Sequence, residues 1–222
     1  MKVLIFGTSG MVGQGVLREC LADPAVTLVQ TVGRTPLGQQ HAKLRELVVP
    51  DMEGYSAVTA ELTGFGACFF CLGATSSGLT EAQYSHISYD LTLAAAEVLA
   101  RCNPQMVFVY VSGAGTDSTE QGKSMWARVK GRTENALLRL PFKAVYLFRP
   151  GIIQPLDGIQ SKTGSYRILY SLLKPLLPVL RALLPNQVLT TRQIGQAMLR
   201  CAHTGAPQAV LETAGIRALS ST

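Results

Sequence analysis

The sequence predicts an α/β protein built on a parallel sheet with helices on both faces. Short β-rich runs alternate with longer helix-like stretches along almost the whole chain. The runs 3–6, 67–72 and 106–111 are apolar on consecutive residues, as strands covered on both faces must be. A glycine-rich turn follows the first of these runs directly.

In order along the chain, strands are expected near 2–6, 26–32, 46–49, 67–72, 106–111, 143–148 and 209–213. A helix opens after the glycine-rich turn and runs toward Cys20. Thr80, with Gln83 three residues on, has capping-box spacing and starts a long helix toward Cys102; Asn103-Pro104 then stops it. Thr191 is expected to cap a helix ending near His203, with Gly205 as its terminator. No internal repeat or low-complexity linker interrupts the pattern, so residues 1–222 read as a single domain.

With 222 residues, 47% of them hydrophobic and 15% charged, the chain is no disordered polar tail, and its core needs neither disulfides nor a structural metal. Cys20, Cys68, Cys71, Cys102 and Cys201 are odd in number and lack framework spacing, and the short apolar start does not read as a secretory leader. A reducing compartment follows, and the cytoplasm is the expected address. The net charge of +6 is lopsided, with 6 Lys/Arg against 9 Asp/Glu in residues 1–111 and 14 against 5 in residues 112–222. Such a field favours an anionic ligand or surface. Without a helix-turn-helix, zinc-knuckle or base-stacking pattern, nucleic acid is not an expected partner.

Gly7-Thr8-Ser9-Gly10-Met11-Val12-Gly13 joins the first strand to the first helix. A GxxGxxG turn in this position suits a dinucleotide. The first glycine allows the tight turn, the second lets backbone approach a pyrophosphate, and the third packs helix against sheet, while helix N–H groups face the phosphate. An acidic residue at the end of the second strand would bond the ribose 2′-hydroxyl of NAD, yet no Asp or Glu occurs between Asp23 and Glu46. Val32-Gly33-Arg34-Thr35 instead puts a guanidinium where a 2′-phosphate would lie, so NADP(H) is expected over NAD(H). A ligand-free turn and a solvated loop arginine are the plainer alternatives.

Four further segments follow in order: Phe70-Cys71-Leu72-Gly73-Ala74-Thr75, Val111-Ser112-Gly113-Ala114, Val129-Lys130-Gly131 and Phe148-Arg149-Pro150-Gly151. With the glycine turn they resemble the short-chain dehydrogenase/reductase superfamily in its atypical branch, and within it the Tat-interacting, metastasis-suppressor-type oxidoreductases. The resemblance implies a Rossmann-like doubly wound parallel sheet, a small C-terminal substrate-side lid or interface segment at about 152–190, and a monomer or homodimer. It implies hydride transfer between NADP(H) and a small carbonyl or alcohol substrate. Leu72, Gly73 and Ala74 would line the adenosine-to-nicotinamide path, Pro150, Gly151 and Ile152 the nicotinamide end, and Asp51 the adenine side.

In that superfamily a serine, a tyrosine and a lysine four residues after the tyrosine carry the proton half of carbonyl reduction. A nearby ammonium eases proton release from the phenol, and the serine orients the carbonyl oxygen. Ser112 and Lys130 match the serine and the lysine, and Lys130 also matches the holder of the nicotinamide ribose. The tyrosine position is Trp126, whose indole N–H is no acid near neutral pH. Tyr89, Tyr166, Tyr170 or a relayed water are the replacements open to the sequence. A non-catalytic NADPH-binding regulatory or sensor protein is therefore the alternative reading.

Cys68 and Cys71 have CxxC spacing but fall on opposite faces of an expected strand, and His41, His86 and His203 are scattered, so no metal site is expected. Arg167, Lys174 and Arg181 recur every seven residues in an apolar segment broken by Pro175 and Pro178. A lid or subunit contact is the preferred reading of this stretch, with docking on an anionic membrane surface the other.

Overall fold

The computed structural model describes residues 1–159 and 187–221. Its strands are β1 (Lys2–Phe6), β2 (Leu28–Gly33), β3 (Leu44–Val48), β4 (Ala67–Phe70), β5 (Val107–Val111), β6 (Ala144–Arg149), β7 (Ile152–Gln154), β8 (Val188–Thr190) and β9 (Val210–Glu212). Seven of them form one sheet in the order β3-β2-β1-β4-β5-β6-β9, every neighbouring pair parallel, while β7 and β8 pair separately. This is a Rossmann-like doubly wound sheet. All seven expected strands are present within a few residues of their expected bounds; β7 and β8 were not foreseen.

Side-chain parity divides the core into two layers. Val3, Ile5, Phe69, Val109 and Phe148 pack with α1 (Met11–Ala22) and with residues of the later helices. Leu4, Phe6, Cys68, Phe70, Phe108 and Tyr110 face the other side. There they meet α3 (Leu91–Cys102) and the end of α4 (Met125–Leu137). Cys68 and Cys71 belong to opposite layers, as strand alternation requires. Burial pushes both thiols well above their ordinary pKa, as for cysteines packed in the core.

The helix expected from Thr80 to Cys102 is present with an interruption. Thr80 and Gln83 make the reciprocal capping box that opens α2 (Glu81–Ser85), a π-helical turn spans His86–Asp90, and α3 follows. Buried Asn103 ends α3 by accepting from the N–H groups of Gly64 (2.7 Å) and Phe65 (2.9 Å). The later helix, α5 (Thr191–Thr204), is capped by Thr190 with Gln193, one residue before the expected Thr191. Strand β8 ends at Thr190, which leaves its hydroxyl free to turn back on the first helical N–H groups. Helix α6 (Thr213–Ser220) follows β9. Among the described residues no helix is long and apolar enough to cross a membrane. The basic stripe at 167–181 and most of the expected lid lie outside the described residues.

Candidate functional site

The chain leaves β1 toward β2 on one side and returns to β4 on the other, so the ends of β1 and β4 adjoin at the topological switch point. Gly7 ends β1 with φ +77°, and a Cβ there would lie 2.5 Å from the Leu72 backbone nitrogen. Only glycine fits both the dihedral and the gap. Gly10 N–H donates to Gly7 O at 2.9 Å, and a Cβ on Gly13 would sit 2.3 Å from that same oxygen. Helix α1 thus starts hard against the turn. No side chain caps it and no acidic residue lies in its first turn, so its leading N–H groups remain available to an anion. These observations fit the diphosphate of a dinucleotide.

Two cavities flank the turn. One, about 480 Å³, is lined by Thr8, Ser9, Gln14, Arg18, Thr35, Leu37 and Gln39 among others. Glu46 shapes it by accepting from the N–H groups of Leu37 (2.7 Å) and Gln39 (3.3 Å), which commits that carboxylate to the loop. Arg34 stands exposed just before Thr35. The other cavity, about 570 Å³, gathers Met11, Leu72, Gly73, Ala74, Tyr84, Ser112, Trp126, Lys130, Pro150, Gly151 and Ile153.

Lys130 is 7% exposed, and its Nζ donates to the Tyr110 hydroxyl (2.9 Å) and to Val111 O (3.1 Å). Burial lowers its pKa, opposed by Tyr84 and Glu134. Burial also raises the Tyr110 phenol, so that group holds its proton. Ser112 Oγ lies 2.9 Å from Thr116 Oγ1, which can itself donate to Gly113 O at 2.8 Å. Either hydroxyl can be the donor of that pair, so when Thr116 donates to Ser112 the serine proton is available to an acceptor in the cleft. Trp126 lies over Gly113 and Gly115, near enough that a Cβ on either would meet the indole at 3.8 and 3.6 Å.

Two contacts hold this arrangement. Asp117 N–H donates to Ala127 O at 3.1 Å, and the loop after β5 lies so close to α4 that a Cβ on Gly131 would be 1.8 Å from Asp117 O. Arg149, at the end of β6, pairs with buried Glu134 on α4 at 2.5 Å and with Glu212 at 3.3 Å. Thr213 Oγ1 accepts from Gly151 N–H at 2.9 Å, fixing the next residues of that strand end.

Of the residues expected from sequence, Leu72, Gly73, Ala74, Ser112, Lys130, Pro150 and Gly151 meet in one cleft with Met11 of the turn. Ile152 does not: it is 44% exposed, and its neighbour Ile153 lines the cleft, the one-residue error that strand alternation produces. Asp51 is exposed and lines neither cavity; its carboxylate accepts from Glu53 N–H at 3.0 Å and closes a local turn. Tyr89 packs under Arg132, 4.3 Å from ring centroid to guanidinium, and does not line the cleft. Tyr166 and Tyr170 lie outside the described residues. Tyr84 and Tyr110 were missed. The Thr80–Gln83 box signalled the helix carrying Tyr84, but not the direction of its face.

No family model matches the chain. The mitochondrial protein fmp52 of Emericella nidulans is 33% identical over 159 residues, covering 68% of this chain and 66% of that protein. Protein HTATIP2 of Rattus norvegicus is 27% identical over 200 residues, covering 84% and 81%. This chain therefore spans just under two thirds of the length of the fungal relative. Among solved structures, the Bordetella bronchiseptica enzyme WbmF in complex with NAD+ superposes with a TM-score of 0.70 at 16% identity, covering 99% of this chain and 76% of that one. An oxidoreductase of the short-chain dehydrogenase/reductase family from Burkholderia thailandensis gives 0.67 at 14% identity, covering 91% and 85%. The mitochondrial fungal relatives overturn the expected cytoplasmic address. The odd cysteine count and the short apolar start on which that expectation rested name no compartment, and the start forms β1.

Proposed function

We propose that this chain, which resembles the atypical short-chain dehydrogenase/reductases and has fmp52 and HTATIP2 among its relatives, transfers hydride between NADP(H) and a small carbonyl or alcohol substrate. The observation that carries this reading is the convergence of Met11, Leu72–Ala74, Ser112 and Lys130 on one cleft beside an uncapped helix N-terminus. Backbone N–H groups around Gly7, Gly10 and Gly13 hold the diphosphate, Lys130 the nicotinamide ribose hydroxyls, and Ser112 the reacting oxygen. When bound, the nicotinamide supplies or accepts the hydride. Lys130, buried and already bonded to Tyr110 and Val111, keeps a fixed direction while a remaining proton reaches toward the cleft.

The preference for NADP(H) rests on Arg34, since the WbmF neighbour is a complex with NAD+. A guanidinium on a 2′-phosphate contributes about 1.5–3 kcal/mol, a factor of roughly 10 to 150 in affinity. The single tryptophan, Trp126, lines the cleft and reports binding by fluorescence quenching. NADPH is expected to bind at least tenfold more tightly than NADH, with the difference abolished in Arg34→Leu. Equal affinities in the wild type would remove Arg34 from the site. Trp126 also favours the second reading, an NADPH sensor without turnover. Sustained NADPH oxidation at 340 nm with any of a panel of aldehydes, ketones and quinones rejects the sensor; tight binding with silence across the panel rejects the oxidoreductase.

A further inference from the structure

We infer that Tyr84 is the proton donor of this site, a phenol brought in from α2 to do the work that Trp126 cannot. The inference rests on the oxidoreductase reading above. Tyr84 is 3% exposed and lines the cleft together with Ser112, Trp126 and Lys130. Its hydroxyl has no hydrogen-bond partner among the described residues, and it is not sealed in the core as the unpartnered Ser88 Oγ is. The hydroxyl is therefore neither bonded nor sealed away, on a residue that lines the cleft.

The surroundings hold Tyr84 in place from both ends of its short helix. The Thr80–Gln83 box fixes the start of α2, and Glu81 pairs with Arg128 of α4 at 2.7 Å. Beyond Tyr84 the π-helical turn offers Ser88 O to Thr133 Oγ1 of α4 at 3.2 Å. Such wide turns recur at functional sites because they re-aim the residues beside them. Tyr84 stands close enough to Lys130 to work against the burial that depresses the lysine's pKa. The other phenols fit less well. Tyr110 is wholly buried, accepts from Lys130 and holds its proton, and Tyr89 lies outside the cleft.

The reduction balances as follows. The carbonyl carbon accepts the hydride with its electron pair, and the C=O π pair moves onto oxygen. That oxygen takes the Tyr84 proton, giving an alcohol and the oxidised dinucleotide. The Tyr84 phenolate, facing the Lys130 ammonium, regains a proton from water entering the cleft. Ser112 orients the carbonyl oxygen through its hydroxyl.

The test compares wild type, Tyr84→Phe and Tyr89→Phe. NADPH affinity, read from Trp126 quenching, is expected to stay within twofold in all three. With the best carbonyl of the panel, kcat falls at least 100-fold in Tyr84→Phe with KM within threefold, as loss of a general acid predicts, and Tyr89→Phe behaves as wild type. A readout free of cofactor and turnover is the Lys130 titration, followed by NMR in ¹³C-lysine-labelled protein and assigned by Lys130→Met. Its midpoint is expected to move lower in Tyr84→Phe. An unmoved midpoint, or Tyr84→Phe turning over as fast as an active wild type, overturns the assignment alone. A wild type silent with every carbonyl overturns the oxidoreductase reading and Tyr84's role with it.

Discussion

Gly131→Ala should destabilise this protein although alanine is the better helix former. Position 131 lies inside α4, where glycine to alanine normally stabilises by about 1 kcal/mol. Here the new Cβ would stand 1.8 Å from the backbone oxygen of Asp117, whereas real Cβ atoms keep at least 3.0 Å. The loop after β5 must then withdraw by about 1.2 Å, since the clash is with backbone and not with a side-chain tip. Overpacking of this kind costs about 1–3 kcal/mol. Loss of the 3.1 Å bond from Asp117 N–H to Ala127 O adds about 1 kcal/mol, which offsets the helix gain. The net expectation is about 2 kcal/mol, or a urea midpoint lower by about 1 M for an m-value near 2 kcal/mol/M. Because the same loop carries Ser112 and Thr116, a shift of this size also lowers kcat by roughly 100-fold. Gly215→Ala in α6 is the contrast: its Cβ meets only the Leu211 Cδ2 methyl at 3.3 Å, so it is expected to be neutral or stabilising by up to about 1 kcal/mol. A Gly131→Ala protein with a wild-type or higher midpoint would refute the claim that α4 and the loop are in backbone contact.

Two further outcomes follow from the buried charges. Arg149→Met leaves the Glu134 carboxylate, whose side chain is 1% exposed, without its guanidinium; a loss of about 3–5 kcal/mol is expected in urea unfolding, largely restored by adding Glu134→Leu, and a loss below about 1 kcal/mol would show that the pair is not desolvated. Lys130 has a folded-state pKa below its ordinary 10.5, so between those two values the unfolded chain binds more protons and stability rises with pH. Wild type should therefore gain stability relative to Lys130→Met as pH climbs from 7 toward 10.5, and a pH-independent difference would contradict the burial of the ammonium.

Much of the layout of the candidate site was legible because it depends on local rules. Gly7 and Gly13 are positions where a Cβ would strike backbone, and a GxxGxxG string directly after an apolar strand encodes that need. Leu72–Ala74, Ser112 and Pro150–Gly151 follow the ends of β4, β5 and β6, and parallel strands deliver all such ends to one edge of the sheet. Errors arose where parity or phase had to be known to one residue. Ile153, not Ile152, enters the cleft because β7 alternates, and the cap of α5 sits at Thr190 because β8 runs to that residue. Asp51, expected on the adenine side, lines neither cavity and closes a local turn through Glu53.

The sequence by itself determined the doubly wound parallel sheet, the diphosphate-type turn and the absence of tyrosine four residues before Lys130. Continuous apolar strands, glycine sterics and i,i+4 spacing act within a few residues of chain. Only the tertiary structure decided which phenol shares the cleft with Lys130. The π-helical turn at His86–Asp90 rotates the register of its helix by about 100° relative to an uninterrupted α-helix. Ion-pair and hydroxyl contacts between α2, that turn and α4 then bring Tyr84 and Lys130, 46 positions apart in the chain, to the same cleft. That meeting is set by long-range packing, which no periodicity in the intervening sequence records.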